Sequence, residues 1–293
     1  MKSLNFFCIG AQKAGTTTLF HMLNQHPDIY IPASKEAHYF DNDKQFELGY
    51  EKYWNQHFSG YANQKIIGTI TPSYAYISSV PGRIRASLTN KPKFIFILRN
   101  PVERAWSHYL MMRYLGKETL SFEEALKIEE SRIQQSHQNN VDFSYLNRGY
   151  YTKQIENYLQ YFPREQLLVL IFETDFILKK EQTLNMITDF LEISPFEFEL
   201  DIRKNQFKQM KNRKAVQLMR DPIISKIFKP IIPSKDIRKL ARKAFLRLNT
   251  SKQHKPKLSV EKKEYFMDHY FNDELIQLEQ FLGKDLNCWR INN

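Results

Sequence analysis

A glycine-containing turn near the start of the chain limits the possible folds more than any other feature. Residues 5–9 are mostly apolar and predict a strand, and the apolar pattern that begins at Leu19 predicts a helix. Between them, Gly10 and Gly15 have the spacing of a phosphate-binding loop. In such a loop, free backbone N–H groups and the helix dipole face an anion. The segment therefore predicts an anion site between a strand and a helix.

The lysine of this loop is displaced. The usual nucleotide-binding pattern is G-x-x-x-x-G-K-[ST], but here Thr16 follows the second glycine and Lys13 lies inside the loop. A kinase or ATPase uses its lysine on the β- and γ-phosphates and the hydroxyl on Mg²⁺. The displaced lysine therefore predicts a different anion, with a P-loop kinase or NTPase as the alternative.

A second anion-binding segment follows a later strand. Residues 94–98 form a β-rich apolar run typical of a buried parallel strand. A P-loop NTPase often ends such a strand in a metal-binding Asp, whereas this one ends in Arg99. Pro101 then begins a predicted helix that carries Ser107. An arginine fork together with a hydroxyl predicts a specific phosphate clamp.

With these two segments the chain resembles sulfotransferases that use 3′-phosphoadenosine 5′-phosphosulfate (PAPS), in particular the heparan-sulfate-type branch and its bacterial relatives. The resemblance extends to the chain's last segment, 257–289. It implies that Arg99 and Ser107 hold the 3′-phosphate, and that Lys13 stabilises the leaving phosphate. The loop residues implied to hold the 5′-phosphosulfate are Lys13, Ala14, Gly15, Thr16, Thr17 and Thr18.

A third matching segment carries the predicted base. Lys35-Glu-Ala-His-Tyr-Phe-Asp41 is similar to the family's E-x-H-F-F-D segment. The resemblance implies that Glu36 is the general base that deprotonates the acceptor. His38 is expected to orient Glu36 or the acceptor, and Asp41 to support it. The implied reaction is in-line transfer of the sulfuryl group from PAPS to an acceptor hydroxyl or amine, leaving PAP.

The sequence departs from the family pattern after its second strand. Members of the heparan-sulfate-type branch often have lysine in an E-K-T-P segment, and here Ile70 occupies that position. This departure weakens the case for a heparan-like acceptor. Tyr74 and Tyr76 follow and could stack on a sugar or an aliphatic acceptor, with ordinary core packing as the alternative.

Strands alternate with helices along most of the chain, which predicts a parallel sheet. The fold class predicted is α/β, a single P-loop-like domain over residues 1–293 with a central parallel sheet flanked by helices, plus a helical basic C-terminal part. Strands are predicted at 5–9, 65–70, 93–98 and 167–172. Later helices are predicted at 44–58, 121–137, 150–162, 181–192 and 259–282.

Positive charge is concentrated in one segment. Residues 203–255 hold 17 of the 43 lysines and arginines and two of the 32 acidic residues, and we expect them to be mostly helical. Lys211 and Arg213 resemble the family's late basic loop, which closes over the nucleotide. The segment has no recognised nucleic-acid motif, so no nucleic-acid partner is expected. The amphipathic pattern of 236–248 fits docking on the protein's own core, or contact with a membrane surface.

The remaining composition narrows the function classes. Cys8 and Cys288 show no metal-ligand spacing, and no metal is expected. No apolar run reaches the length of a membrane span, and a strand begins almost at the N-terminus, so we expect a cytoplasmic, bacterial protein. A polysaccharide, a glycolipid or a small hydroxylated molecule could each be the acceptor. The third alternative is a non-catalytic polyanion-binding protein.

Overall fold

The central element of this computed structural model is a five-stranded, all-parallel sheet. The structure describes residues 3–201, 208–210, 250–252 and 256–290, with isolated positions 234, 237, 240 and 244. The strands of the sheet are β1 (Phe6–Gly10), β2 (Ile29–Tyr30), β3 (Ile66–Ile70), β4 (Lys93–Leu98) and β5 (Leu167–Ile171). Their order in the sheet is β2-β3-β1-β4-β5. The predicted α/β class is confirmed.

Apolar composition explains why these strands lie in the middle of the sheet. Every residue of β1 and β3 is buried, as expected of strands covered on both faces. In the register, Cys8 of β1 lies opposite Ile95 of β4. Burial raises the pKa of the Cys8 thiol to about 12, which makes it an inert core residue. The two-residue strand β2 was not predicted, because so short a segment has no recognisable periodicity.

Helices surround the sheet at most of the predicted places. The helices that begin at Pro101 and Val260 start close to the expected positions. The predicted helix 121–137 is divided into short helices, although its capping box of Ser121 and Glu124 is present. The helices are α1 (Thr16–Leu23), α2 (Asp43–Glu47), α3 (Tyr50–His57), α4 (Val80–Ser87), α5 (Pro101–Tyr114), α6 (Phe122–Lys127), α7 (Glu129–Ile133), α8 (His137–Phe143), α9 (Tyr151–Leu159), α10 (Lys180–Leu191) and α11 (Val260–Leu282), with a π-helical segment at Phe172–Leu178.

The predicted helix 44–58 is interrupted by a glycine. Gly49 has a φ of 85°, a left-handed conformation that an α-helix cannot contain, and it separates α2 from α3. The structure therefore corrects the boundaries of the middle helices while keeping their approximate places.

None of the described helices is both long enough and apolar enough to cross a membrane.

Two compact units are distinguished along the chain. The first contains the sheet and comprises 3–105, 146–201 and 260–290 of the described residues. The second comprises 106–145 and the described part of 205–259. In the second unit the buried carboxylate of Glu118 accepts hydrogen bonds from Arg132 Nη1 (2.7 Å) and the Tyr145 hydroxyl (2.8 Å). The single-domain assignment stays a prediction.

The basic segment contains an antiparallel strand pair. Strand β6 (Lys208–Met210) pairs with β7 (Thr250–Lys252). This part of the segment is therefore strand, although the segment was expected to be mostly helical. Most of the predicted helix 236–248 lies outside the described residues, as do Lys211 and Arg213. Within that range, Ile237 and Leu240 are exposed.

Candidate active site

The predicted phosphate loop joins β1 to α1 at the carboxyl edge of the sheet. Gly15 is the N-cap of α1 with a φ of 84°, and no side chain caps the helix there. The first N–H groups of a helix have no intrahelical partner, so those of α1 can face an anion. A Cβ on Gly15 would lie 2.7 Å from Cε2 of Phe172, so glycine is required for both conformation and space. The N–H of Ala11 donates to the Ile97 carbonyl (2.7 Å), which fastens the loop to β4.

Lys13 is a half-buried cation within this loop. Burial, followed by the positive charges of Arg99 and Lys35, lowers the pKa of its ammonium group to about 8, while Glu36 opposes the shift. Its backbone has a φ of 75°, a conformation uncommon for a residue with a side chain. When an anion binds beside a lysine that lies among other cations, the charged form of that lysine is stabilised.

Arg99 connects the end of β4 to the loop. Its Nη1 donates to the Lys13 carbonyl (2.8 Å), Nη2 lies 3.4 Å from Glu103 Oε2, and the guanidinium stacks 5.2 Å from the centre of the Phe172 ring. Its Nε is buried and has no hydrogen-bond partner among the described residues. Leaving a buried donor unpaired is costly, so this N–H fits an oxygen of a bound anion.

Glu36 lies between two charged neighbours in the connection between β2 and β3. Its Oε1 is 2.8 Å from Lys35 Nζ, and its Oε2 is 3.5 Å from His38 Nε2. Burial raises the pKa of Glu36, but hydrogen bonding from His38 and the charge and hydrogen bond of Lys35 outweigh it, giving a pKa of about 2. The carboxylate is therefore ionised at neutral pH.

His38 is held between two carboxylates. Its Nδ1 is 2.9 Å from Asp41 Oδ2, and this hydrogen bond, with that of Glu36, raises the pKa of His38 to about 10 against the effect of burial. Asp41 Oδ2 also accepts a short hydrogen bond from the Ser73 hydroxyl. At neutral pH the imidazole is therefore a cation beside Glu36, and it is not a free base.

Lys35 is a site residue that the sequence did not predict. Its Nζ is 3.4 Å from the Thr16 hydroxyl of the phosphate loop and bonded to Glu36, so it links the two predicted halves of the site. Its position directly before Glu36 was the available signal. The side chains of an irregular loop follow no periodic pattern of directions. The sequence therefore did not indicate where the side chain of Lys35 would point.

Comparison with known proteins agrees with this geometry. The sequence profile described as the Sulfotransferase domain matches residues 5–281. The chain belongs to the sulfotransferase family.

Relatives of this sulfotransferase include the human heparan sulfate glucosamine 3-O-sulfotransferase 5, which is 33% identical over 191 residues, 64% of this chain and 53% of the relative. The mouse bifunctional heparan sulfate N-deacetylase/N-sulfotransferase 2 is 28% identical over 201 residues, 65% of this chain and 22% of the relative. The match thus spans about half the length of the 3-O-sulfotransferase. The crystal structure of a sulfotransferase from Alicyclobacillus acidocaldarius is 26% identical, with a TM-score of 0.71, and covers 99% of this chain and 100% of that one.

The two tyrosines predicted to bind the acceptor of this sulfotransferase differ in their exposure. Tyr74 is fully buried, and its hydroxyl accepts from the N–H groups of Tyr39 (3.3 Å) and Phe40 (3.4 Å). Because no surface of its ring is left for an acceptor, we assign Tyr74 to the core. Tyr76 is partly exposed, with the guanidinium of Arg148 4.3 Å from its ring centre.

The other predicted nucleotide contacts of this sulfotransferase lie along the loop and on α5. Ala14 and Thr16 are buried, whereas Thr17 and Thr18 are partly exposed at the start of α1. Ser107 is a partly exposed residue of α5 and belongs to the second unit, so its pairing with Arg99 stays a prediction. The part of the chain that the structure describes contains no cluster of three His, Cys, Asp or Glu side chains that could hold a metal ion.

Proposed function

We propose that this chain catalyses PAPS-dependent transfer of a sulfuryl group to an acceptor hydroxyl or amine. The observation that supports it most directly is the position of Lys13, a cation inside the loop that leads into the N-terminus of α1. Glu36 interacts electrostatically with that lysine, so a carboxylate and an anion site lie in one place. Family membership supports the same reaction.

The residues present fit the two phosphate-bearing ends of this nucleotide. Lys13, the N-terminal amides of α1 and the hydroxyls of Thr16 and Thr17 suit the 5′-phosphosulfate. Arg99, with its unpaired Nε, and Ser107 suit the 3′-phosphate. Bound PAPS would supply the sulfuryl group.

Each step of the proposed transfer has a residue to assist it. Glu36 accepts the proton of the acceptor as the acceptor oxygen or nitrogen forms its bond to sulfur. The bond between sulfur and the phosphate oxygen breaks, and its electron pair stays on that oxygen. Lys13 stabilises the negative charge that develops there, while His38 keeps Glu36 oriented. The products are the sulfated acceptor and PAP.

For the acceptor we propose a carbohydrate or glycoconjugate. Two relatives are named for action on heparan sulfate, one as an O-sulfotransferase and one as an N-sulfotransferase. Ile70 is fully buried in this chain, at the position where the heparan-sulfate-type pattern has lysine. Glycolipids and small hydroxylated molecules therefore belong in the acceptor screen beside polysaccharides.

Nucleotide selectivity tests the proposal without knowledge of the acceptor. Calorimetry should give much tighter binding of PAP than of AMP or ATP, and Arg99→Ala and Ser107→Ala should each weaken PAP binding by about 1–3 kcal/mol. Equal affinity for PAP and AMP would overturn the proposal. Magnesium-dependent ATP turnover would favour a kinase instead, and salt-sensitive polyanion binding without transfer would favour a binding protein.

Labelled PAPS then identifies the acceptor. Candidate polysaccharides, glycolipids and small hydroxylated molecules are incubated with the protein, and label transfer is followed with and without EDTA. We expect transfer to at least one carbohydrate class, unaffected by the chelator, because lysine and backbone amides neutralise the charge.

A further inference from the structure

Lys35 links the phosphate loop to the predicted base through its side chain. Its Nζ is 2.8 Å from Glu36 Oε1 and 3.4 Å from Thr16 Oγ1, and the side chain is 12% exposed. The second contact is longer than a good hydrogen bond to an ammonium group. The ammonium group therefore has one strong hydrogen-bond partner. It faces the phosphate loop and can donate a further hydrogen bond there.

The backbone fixes Lys35 in this direction. The Lys35 carbonyl accepts from the Thr69 hydroxyl (3.0 Å) and from the Ile70 N–H (3.3 Å), at the carboxyl end of β3. Its φ of 58° turns the chain at this point. Two hydrogen bonds from a buried strand end hold the residue in a conformation that a free loop would rarely adopt.

The charges around Lys35 are unbalanced. Lys13 from the phosphate loop, Arg99 from the end of β4 and Arg104 from α5 all interact with the same pocket of charge, and the two arginines lower the pKa of Lys13 together with Lys35. Glu36 opposes them, Asp41 is engaged by His38, and Glu103 lies 3.4 Å from Arg99 Nη2. Four buried or half-buried cations beside these carboxylates favour a bound anion.

We propose that Lys35 is a second nucleotide-binding lysine, which contacts the 5′-phosphate end of the cosubstrate beside Thr16 and at the same time holds Glu36 in place. This inference rests on the proposed function. A bound 5′-phosphate competes with Glu36 for the ammonium group of Lys35. Nucleotide binding thereby weakens the hold on the carboxylate and makes it a stronger base for the acceptor proton.

Calorimetry with three nucleotides localises the contact. PAP, AMP and adenosine 3′-monophosphate differ only in which phosphates they carry, so two ratios report the 5′- and 3′-phosphate contributions. We expect Lys35→Met to weaken PAP binding about tenfold while leaving the affinity for adenosine 3′-monophosphate within about twofold, as for one lost charge-assisted hydrogen bond. Lys35→Arg should recover part of the loss.

A matched control separates this contact from general charge loss. Lys65 is a surface lysine that pairs with Asp28 (3.2 Å), and Lys65→Met removes the same charge and should leave all three affinities unchanged. If wild-type protein does not distinguish PAP from AMP, the proposed function fails. If it does, and Lys35→Met binds PAP like wild type, the inference about Lys35 is wrong.

The ionisation of Glu36 gives a second readout that needs no acceptor. The ¹³C signal of its carboxyl group, assigned with Glu36→Gln, should show no titration above about pH 4 in wild type. In Lys35→Met the titration midpoint should shift upward, because the nearest cation is gone. An unchanged midpoint in Lys35→Met would contradict the role of Lys35 in holding the carboxylate.

Discussion

Individual side chains of the site have pKa values that differ from their usual ones. The pKa of Lys13 is lowered to about 8 by burial and by neighbouring cations, and that of His38 is raised to about 10 by its two carboxylate partners. At neutral pH both are positively charged, while Glu36 is ionised. His38 therefore suits the positioning of Glu36, and in the proposed mechanism the carboxylate accepts the proton.

Lys13 makes anion binding depend on pH. Its folded-state pKa is depressed, so the free protein loses this cation as pH rises through about 8, and PAP affinity should fall above that value. Lys13→Ala should abolish transfer, flatten this pH dependence and leave the fold intact, because glycines determine the loop conformation. PAP calorimetry across this pH range and circular dichroism measure these effects. Near-normal turnover of Lys13→Ala with saturating PAPS would remove Lys13 from the leaving-group role.

Glu36 can be separated from the nucleotide site by an isosteric change. Glu36→Gln keeps the shape and removes basicity, so kcat should fall about 10²–10⁴-fold while PAP affinity changes little. Glu47→Gln on the exposed face of α2 is the control and should retain full activity. Turnover of a hydroxyl acceptor and PAP calorimetry are the measurements. Loss of PAP binding with unchanged kcat would make Glu36 a structural residue.

At the scale of elements, the β1–loop–α1 unit depends on one close contact. Gly15 packs against Phe172, and the same ring stacks on the guanidinium of Arg99, which donates to the Lys13 carbonyl. The loop, the π-helical segment and the end of β4 are therefore braced together through a single aromatic ring. We therefore expect a substitution in the loop to alter the position of the Arg99 guanidinium.

Gly15→Ala tests this bracing. The new Cβ would require a left-handed φ and would lie 2.7 Å from the Phe172 ring, so we expect a loss of about 2–4 kcal/mol in unfolding free energy and weaker PAP binding. Gly283, just after α11, has a φ of 61°, and a Cβ added there would meet nothing within 4 Å, so Gly283→Ala isolates the backbone cost. Urea unfolding measures both. Equal losses in the two variants would mean that the Phe172 contact contributes nothing.

At the scale of the whole chain, distant segments meet beside Arg99. Trp289 Nε1 donates to Glu173 Oε2 (2.7 Å), and the Trp289 carbonyl accepts from Asn100 Nδ2 (3.1 Å). Glu173 Oε1 in turn accepts from the Asn100 N–H (3.1 Å). The turn after α11 thus supports the residue that follows Arg99, and through it the proposed nucleotide site.

Trp289→Ala should therefore affect both stability and binding. Removing a buried indole costs about 3–5 kcal/mol, and the loss also leaves the Glu173 carboxylate short of a donor. PAP binding should weaken because Asn100 loses a support. Trp289→Phe keeps most of the packing and should lose only about 1–2 kcal/mol. Urea unfolding and calorimetry distinguish these outcomes, and unchanged PAP affinity in a folded Trp289→Ala protein would disprove the coupling.

The sequence by itself determined the sheet, the loop and the placement of Lys13 and Arg99 near one edge. Local apolar runs specify the strands β1, β3, β4 and β5, and parallel strands bring their carboxyl ends to the same edge. Glycines within the first loop and an arginine at the end of β4 are local features, so they could be predicted from short segments.

Only the tertiary structure decided which side chains meet. Lys35 points at the phosphate loop because β3 holds its carbonyl, and Tyr74 is lost to the core because its hydroxyl bonds the backbone of Tyr39 and Phe40. Trp289 reaches Asn100 across most of the chain's length. Such contacts join segments far apart in sequence, and the direction of a loop side chain has no periodicity to predict it. Burial and charge, and hence the shifted pKa values of the site, follow from those contacts.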